Sequence, residues 1–260
     1  MAIDRTLIEI RERSYADVLD LALVVVRNRP WAVGLAALAG SLPFILLNWW
    51  LSRDPEFPVV VYGTLLLFQA PWATAPLTVV LGDLMFGQRP TPKGVLVRIV
   101  TRLPSLFLYQ FVLRALLVAT VVLYLIIPGR LAFLNEVILL ERGRFRSVIK
   151  RCSTLGEARG SDLFGQWVTS VCFGALFIFC FWFGTGAIAN ALISTELTWD
   201  EPGWSDLYGI RLQTGLWLAI QFFTVARFFS YVDQRIRLEG WEVKLRLQAV
   251  GRAMEEAGRW

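Results

Sequence analysis

Apolar positions in this chain run in long blocks rather than in alternating or heptad patterns. The first block is PWAVGLAALAGSLPFILLNWWLS, residues 30–52, closed by the pair Trp49 and Trp50. The second is PVVVYGTLLLFQAPWATAPLTVVLGDLMF, residues 58–86, interrupted by Pro71 and Pro76. A third, SLFLYQFVLRALLVATVVLYLII, covers residues 105–127. A fourth is short, LAFLNEVILL at 131–140, and follows a Pro128–Gly129 turn. The fifth runs from Leu163 to about Ile193, and the sixth, LYGIRLQTGLWLAIQFFTVARFF, covers 207–229. About 20 apolar residues in a helix cross a hydrocarbon core of about 30 Å. The pattern therefore predicts an all-α polytopic membrane protein with about six transmembrane helices. Residues 130–141 reach only about 18 Å as a helix, so the fourth is expected to be short or re-entrant.

Both ends carry a different pattern. Ser14 with Asp17 three residues on has the form of a capping box, and Val18, Leu21 and Val25 follow at helical spacing. Beyond Gly240, Val243, Leu247, Val250 and Met254 form one stripe. Amphipathic helices are thus expected at both termini, lying on the membrane or against the bundle. The expected organisation is a single membrane domain: a segment 1–29, a bundle 30–230 and a tail 231–260. In the tail, Tyr231 and Trp241 are expected at the interface, and Asp233 is placed to pair with Arg237 beside Arg235.

Composition agrees. Charged residues make up 18%, against about 25% in soluble domains. The charges are also ordered. Of the 26 Lys and Arg residues, all but Arg53, Arg114, Arg130 and Arg211 fall in the N-terminal segment, between blocks two and three, between four and five, or in the last block's exit and tail. The positive-inside rule makes those segments cytoplasmic, with both termini inside. The expected location is a bacterial cytoplasmic membrane. The first 20 residues are charged throughout and show no small-residue cleavage pattern, which predicts no cleaved leader. Topology accounts for the sequence pI of about 9.4, so no nucleic-acid partner is expected.

Three stretches resemble a known group. RSYADVLDLALVVVRNRPW, IIPGRLAFLNEVILLERGRFRSVIKRC and YVDQRIRLEGW are similar to segments of a broad set of bacterial membrane proteins. That set includes the membrane domain of glycerophosphoryl diester phosphodiesterases. The resemblance implies a six-span helical fold without implying an activity. Nothing reads as the alternating strands and helices of the catalytic barrel, and no catalytic residue is carried over.

The chain has no histidine, and Cys152, Cys172 and Cys180 lack metal-like spacing. No nucleophile-elbow, zinc-protease, phosphate-loop or dinucleotide motif occurs. A non-enzymatic role without cofactor is expected. The candidate chemistry lies in the membrane. Arg114 and Glu136, on neighbouring segments, are placed to form an ion pair. Such a pair sets helix register or marks a proton or substrate path, unless each side chain snorkels separately. Asp83 and Arg211 are expected at the interfaces. Pro71 and Pro76 leave backbone carbonyls without partners, as in plain kinks and in the broken helices of transporters. Ala32, Ala36 and Gly40 form a small-residue stripe suited to close helix contact. Arg142, Arg144, Arg146, Lys150 and Arg151 form a basic surface toward lipid or a partner.

Two functions fit these features. One is a scaffold or accessory subunit that engages membrane lipids, with a protein partner or a second copy of the chain. The other is a small transporter or channel-like protein built on the kinked second block and the Arg114–Glu136 pair.

Overall fold

The computed structural model describes residues 14–51, 58–85, 87–119, 130–141, 145–157, 160–193 and 209–239. Among these the regular structure is helical. Five helices are long and apolar enough to cross a membrane: Pro30–Leu51, Val60–Met85, Pro92–Leu117, Gly160–Leu192 and Ile210–Leu238.

Helix α1 (Tyr15–Asn28) begins as expected. The Ser14 hydroxyl accepts the Asp17 N–H, and the Asp17 carboxylate accepts the Ser14 N–H at 2.9 Å. Its stripe is used for packing: Val18 and Ala22 are buried, and α1 lies mainly against the last helix. Pro30 opens α2 (Pro30–Leu51), where its fixed φ suits a first helical turn.

The small-residue stripe of α2 meets α3 (Val59–Met85). A Cβ on Gly40 would sit 1.9 Å from the Ala73 carbonyl oxygen, so only glycine permits this approach. Further along, the Asn48 and Gln69 amides exchange two buried hydrogen bonds of 2.8 and 2.9 Å. Helix α3 runs unbroken through both prolines and lies at the centre of the bundle.

The sequence pattern places residues 87–104 in a basic loop, but the helix begins at Pro92. Thr91 caps α4 (Pro92–Leu106) by accepting the Gly94 N–H. Val95, Ile99 and Leu106 pack on the core, while Leu96, Val97, Val100 and Leu103 stay exposed. Apolar residues at helical spacing thus outweigh the basic ones. A wider, π-helical turn (Phe107–Leu113) follows, and α5 (Arg114–Ala119) continues the rod.

The short fourth block is α6 (Leu134–Leu140), about 10 Å long. Residues 134–139 are all buried, so it is a core element inside the bundle rather than a lipid-facing span. Helix α7 (Phe145–Glu157) buries Val148, Cys152 and Leu155 on one face. Helix α8 (Gly160–Ile193) is the outermost, with Phe173, Leu176 and Phe179 exposed as a lipid-facing wall. Helix α9 (Ile210–Glu239) is central. It extends ten residues beyond the expected end of the sixth block, and Tyr231 is buried against Phe133 rather than placed at an interface. Trp241 and the stripe from Val243 to Met254 lie outside the described residues.

Candidate functional site

The site starts with a missing hydrogen. Pro71 has no N–H, so the carbonyl four residues earlier, on Leu67, loses its helical donor. The Arg114 guanidinium donates to that carbonyl. A buried carbonyl left bare costs about 1–3 kcal/mol, so a cation is well used there. One turn on, the Asn135 amide donates to the Pro71 carbonyl at 3.2 Å and to the Thr74 hydroxyl at 3.1 Å. The Gln221 amide donates to the Ala73 carbonyl at 3.0 Å. Helices α5, α6 and α9 thus all dock polar groups onto the proline-bearing turns of α3.

Glu136 is fully buried, and its partner is Arg227 of α9, with Nε 2.8 Å from Oε1. The expected Arg114–Glu136 pair is therefore replaced by two separate attachments, Arg114 to the α3 backbone and Glu136 to α9. The pairing is single-edged. Arg227 Nη2 and Glu136 Oε2 are both buried without a hydrogen-bond partner.

These residues surround a cavity of about 270 Å³. Its walls come from α1 (Tyr15), α3 (Pro71, Thr74), the π-helical turn and α5 (Gln110, Arg114), the α6 region (Leu131 to Asn135), α8 (Gln166, Trp167, Ser170) and α9 (Ile220, Thr224, Arg227, Ser230). Room for one water needs about 10–15 Å³ of such space, so the cavity holds far more than a structural water. Four buried polar atoms of its lining residues lack hydrogen-bond partners: Gln110 Oε1, Asn135 Oδ1, Arg227 Nη2 and Ser230 Oγ. Along α9 it runs from Ser230 to Ile220, ten residues or about 15 Å. One end is thus near the basic end of the bundle and the other near the middle of the apolar run. Trp167 is itself 37% exposed, so the wall also reaches the outer surface of the bundle.

A second cavity, of about 390 Å³, shares Tyr15, Leu163, Gln166 and Ser230 with the first. It adds Ser14, Asp162, Asp233 and Gln234 and lies at the basic end. The Tyr15 hydroxyl is 2.6 Å from Ser170 Oγ, which ties α1 to α8 beside the shared residues. Burial raises the Tyr15 pKa, with the Ser170 hydrogen bond acting in the opposite direction, so the phenol is neutral.

At the same end Glu141 gathers three elements. It accepts from Tyr231 Oη at 2.7 Å and from Arg151 Nε at 2.8 Å, with Arg235 4.0 Å away. Arg237 pairs with Asp233 at 2.9 Å, as the spacing predicts. Asp83 is buried and paired with Arg98 rather than interfacial, because α4 begins early enough to bring Arg98 to it. Arg211 lies over the Trp182 ring, 5.8 Å from its centroid. Of the expected basic surface, Lys150 is exposed and Arg151 is taken by Glu141. Arg142, Arg144 and the Arg146 side chain lie outside the described residues. Pro76 packs toward Gly40 of α2 and Pro71 lines the cavity. Among the described residues no three metal-type ligands converge.

The cavity residues that sequence reading missed are Arg227, counted there only among the exit charges, and the uncharged Gln110, Asn135, Thr224 and Ser230. A signal was present. Amides inside apolar blocks are costly unless they have work to do, and Asn48, Gln69, Gln110, Asn135, Gln213 and Gln221 are all buried. Searches of protein-family models, curated proteins and solved structures find no match to the chain.

Proposed function

We propose that the chain is a small, non-enzymatic transport protein of a bacterial cytoplasmic membrane that takes a polar or amphipathic solute into the cleft between α3, α5, α6, α8 and α9. The observation that carries this reading is the cavity itself. It bears Arg114 and Arg227 at membrane depth, and polar atoms without partners line its wall. Ionisable residues inside a bundle belong to substrate and ion pathways when they face a cavity. Positive charge gathers at the end that also holds the second cavity, so by the positive-inside rule the cleft opens to the cytoplasm.

An accessory or scaffolding role draws less support. The apolar stripe of α1, expected on the membrane or against the bundle, is spent on packing inside the bundle. Arg151 and Arg235 of the basic end are likewise engaged at Glu141.

The test is flux in liposomes holding only this protein. Trapped small anions, zwitterions and polyols are followed alongside fluorescent short-chain phospholipids. Transport predicts acceleration of at least one class over empty vesicles, lost in Arg114→Leu. No acceleration in any class would favour the accessory role.

A further inference from the structure

Hydrogen-bond donors and acceptors are unevenly divided around the cavity. The Thr224 hydroxyl spends its hydrogen on the Ile220 carbonyl of its own helix, at 2.7 Å, and so offers the cavity lone pairs only. The Asn135 amide gives its N–H groups to Pro71 and Thr74, which fixes its orientation and leaves Oδ1 buried without a donor. Gln110 Oε1 is buried without a donor as well. Against these acceptors stands one charged donor, Arg227 Nη2, whose Nε edge holds Glu136. The Ser230 hydroxyl can serve in either sense. Arg114 is already engaged with the α3 backbone. Donor and acceptors lie close together. Thr224 is three residues from Arg227 on α9, a rise of about 4.5 Å. Asn135 adjoins the glutamate that Arg227 binds. One small molecule can therefore meet both kinds of group. A carboxylate alone satisfies the arginine and leaves the acceptors bare, and an amine alone does the reverse.

We propose that the cavity binds a free α-amino acid with an apolar side chain, held as the zwitterion. A primary ammonium carries three N–H donors on one atom, which suits Gln110 Oε1, Asn135 Oδ1 and Thr224 Oγ1. The carboxylate takes the open edge of Arg227 in a charge-assisted contact. The apolar side chain lies against Trp167, Ile220 and Phe223. A buried polar atom without a partner is costly, so a ligand that supplies the missing partners recovers that cost on binding. The acceptors come from the π-helical turn, α6 and α9, so the head is recognised only where these elements meet. This assignment names the solute class of the cleft and rests on reading that cleft as a solute site, but it concerns binding and does not require flux.

The experiment is equilibrium binding of radiolabelled L-phenylalanine to the purified full chain in detergent, competed by hydrocinnamate, phenethylamine and L-serine. Hydrocinnamate is phenylalanine without its ammonium, and phenethylamine is phenylalanine without its carboxylate. Serine keeps the head and lacks the apolar side chain. Phenylalanine is expected to bind at least about tenfold more tightly than any of the three, the weight of one hydrogen bond to a charged group. Gln110→Met removes one acceptor at similar volume. It should narrow the gap between phenylalanine and hydrocinnamate without lowering the melting temperature, and Thr224→Val should narrow the same gap. Arg227→Leu combined with Glu136→Leu removes the ion pair as a unit and should erase the gap between phenylalanine and phenethylamine. No binding of phenylalanine, equal affinity for phenylalanine and both single-charge analogues, or gaps unchanged in these variants would overturn the site. Binding without flux in liposomes would keep the site and remove the transport reading. Flux of another solute class without phenylalanine binding would keep transport and overturn the assignment.

Discussion

The Arg114 side chain donates to the main-chain carbonyl of Leu67, the carbonyl that Pro71 leaves without a helical donor. One substitution on α3 thus has its remedy on α5. The pair is testable as a cycle. Arg114→Leu should cost about 1.5–3 kcal/mol, the usual value of a hydrogen bond to a charged group. In a Pro71→Ala background the restored N–H serves Leu67, and the same change should cost about half as much. Melting of the four proteins in one detergent gives the coupling. Additive effects would mean that Arg114 is held by other contacts.

The buried ion pair makes a second prediction. Glu136 is fully buried, with Arg227 as its ion-pair partner. Replacing Arg227 by leucine leaves an uncompensated carboxylate and should cost about 3–5 kcal/mol. Adding Glu136→Leu should recover most of that loss. Chemical denaturation of the single and double variants decides. A double variant no more stable than the single would show that the pair is not what sets the cost.

Close approach of α2 and α3 makes Gly40 the least replaceable glycine described. Gly40→Ala places a methyl 1.9 Å from the Ala73 carbonyl, a backbone atom that cannot rotate away. The expected loss is about 1–3 kcal/mol, seen as a lower melting temperature and a smaller monodisperse fraction. Gly34→Ala, with nothing within 4 Å, is the control and should be neutral. Equal behaviour of the two would place the α2–α3 contact farther apart than described.

Cys152 links α7 to the charges near it. Burial raises its thiol from 9.0 to about 12, and the Glu136 and Glu141 carboxylates add to the rise while Arg151 opposes it. The folded pKa lies above the unfolded one. Its contribution to stability is therefore complete below pH 9 and is lost as pH climbs from 9 toward 12. In a variant lacking Cys172 and Cys180, both exposed, a water-soluble maleimide should leave the folded protein unlabelled at pH 8 and label it fully in denaturant. Rapid labelling of the folded state would show that α7 opens.

How much of this could be read in advance follows from what hydropathy measures. Apolar block length gives the number and rough depth of the helices, and spacing along one helix gives pairs such as Asp233 with Arg237. Neither says which helices are neighbours. Glu136 was matched to Arg114 because their segments adjoin in sequence, yet α9 returns to supply Arg227, 91 positions away. Tyr231 shows the same limit. An aromatic after an apolar run suggests a headgroup level, but a carboxylate on α6 draws its hydroxyl inward. Proline positions were more informative. They located the bare carbonyl, though not the side chain that meets it.

Transport as proposed requires a water-accessible cleft that reaches the middle of the membrane from the basic end. Ile220 is half-buried at its inner end, and Leu218, two residues away on α9, is exposed on the bundle surface. The decisive measurement is labelling of Ile220→Cys and Leu218→Cys by a membrane-impermeant methanethiosulfonate, in the background lacking Cys172 and Cys180. Inside-out vesicles should label Ile220→Cys and spare Leu218→Cys, and right-side-out vesicles should label neither. Failure to label Ile220→Cys in inside-out vesicles would mean the cleft is sealed from the cytoplasm, and the transport reading would fall with it.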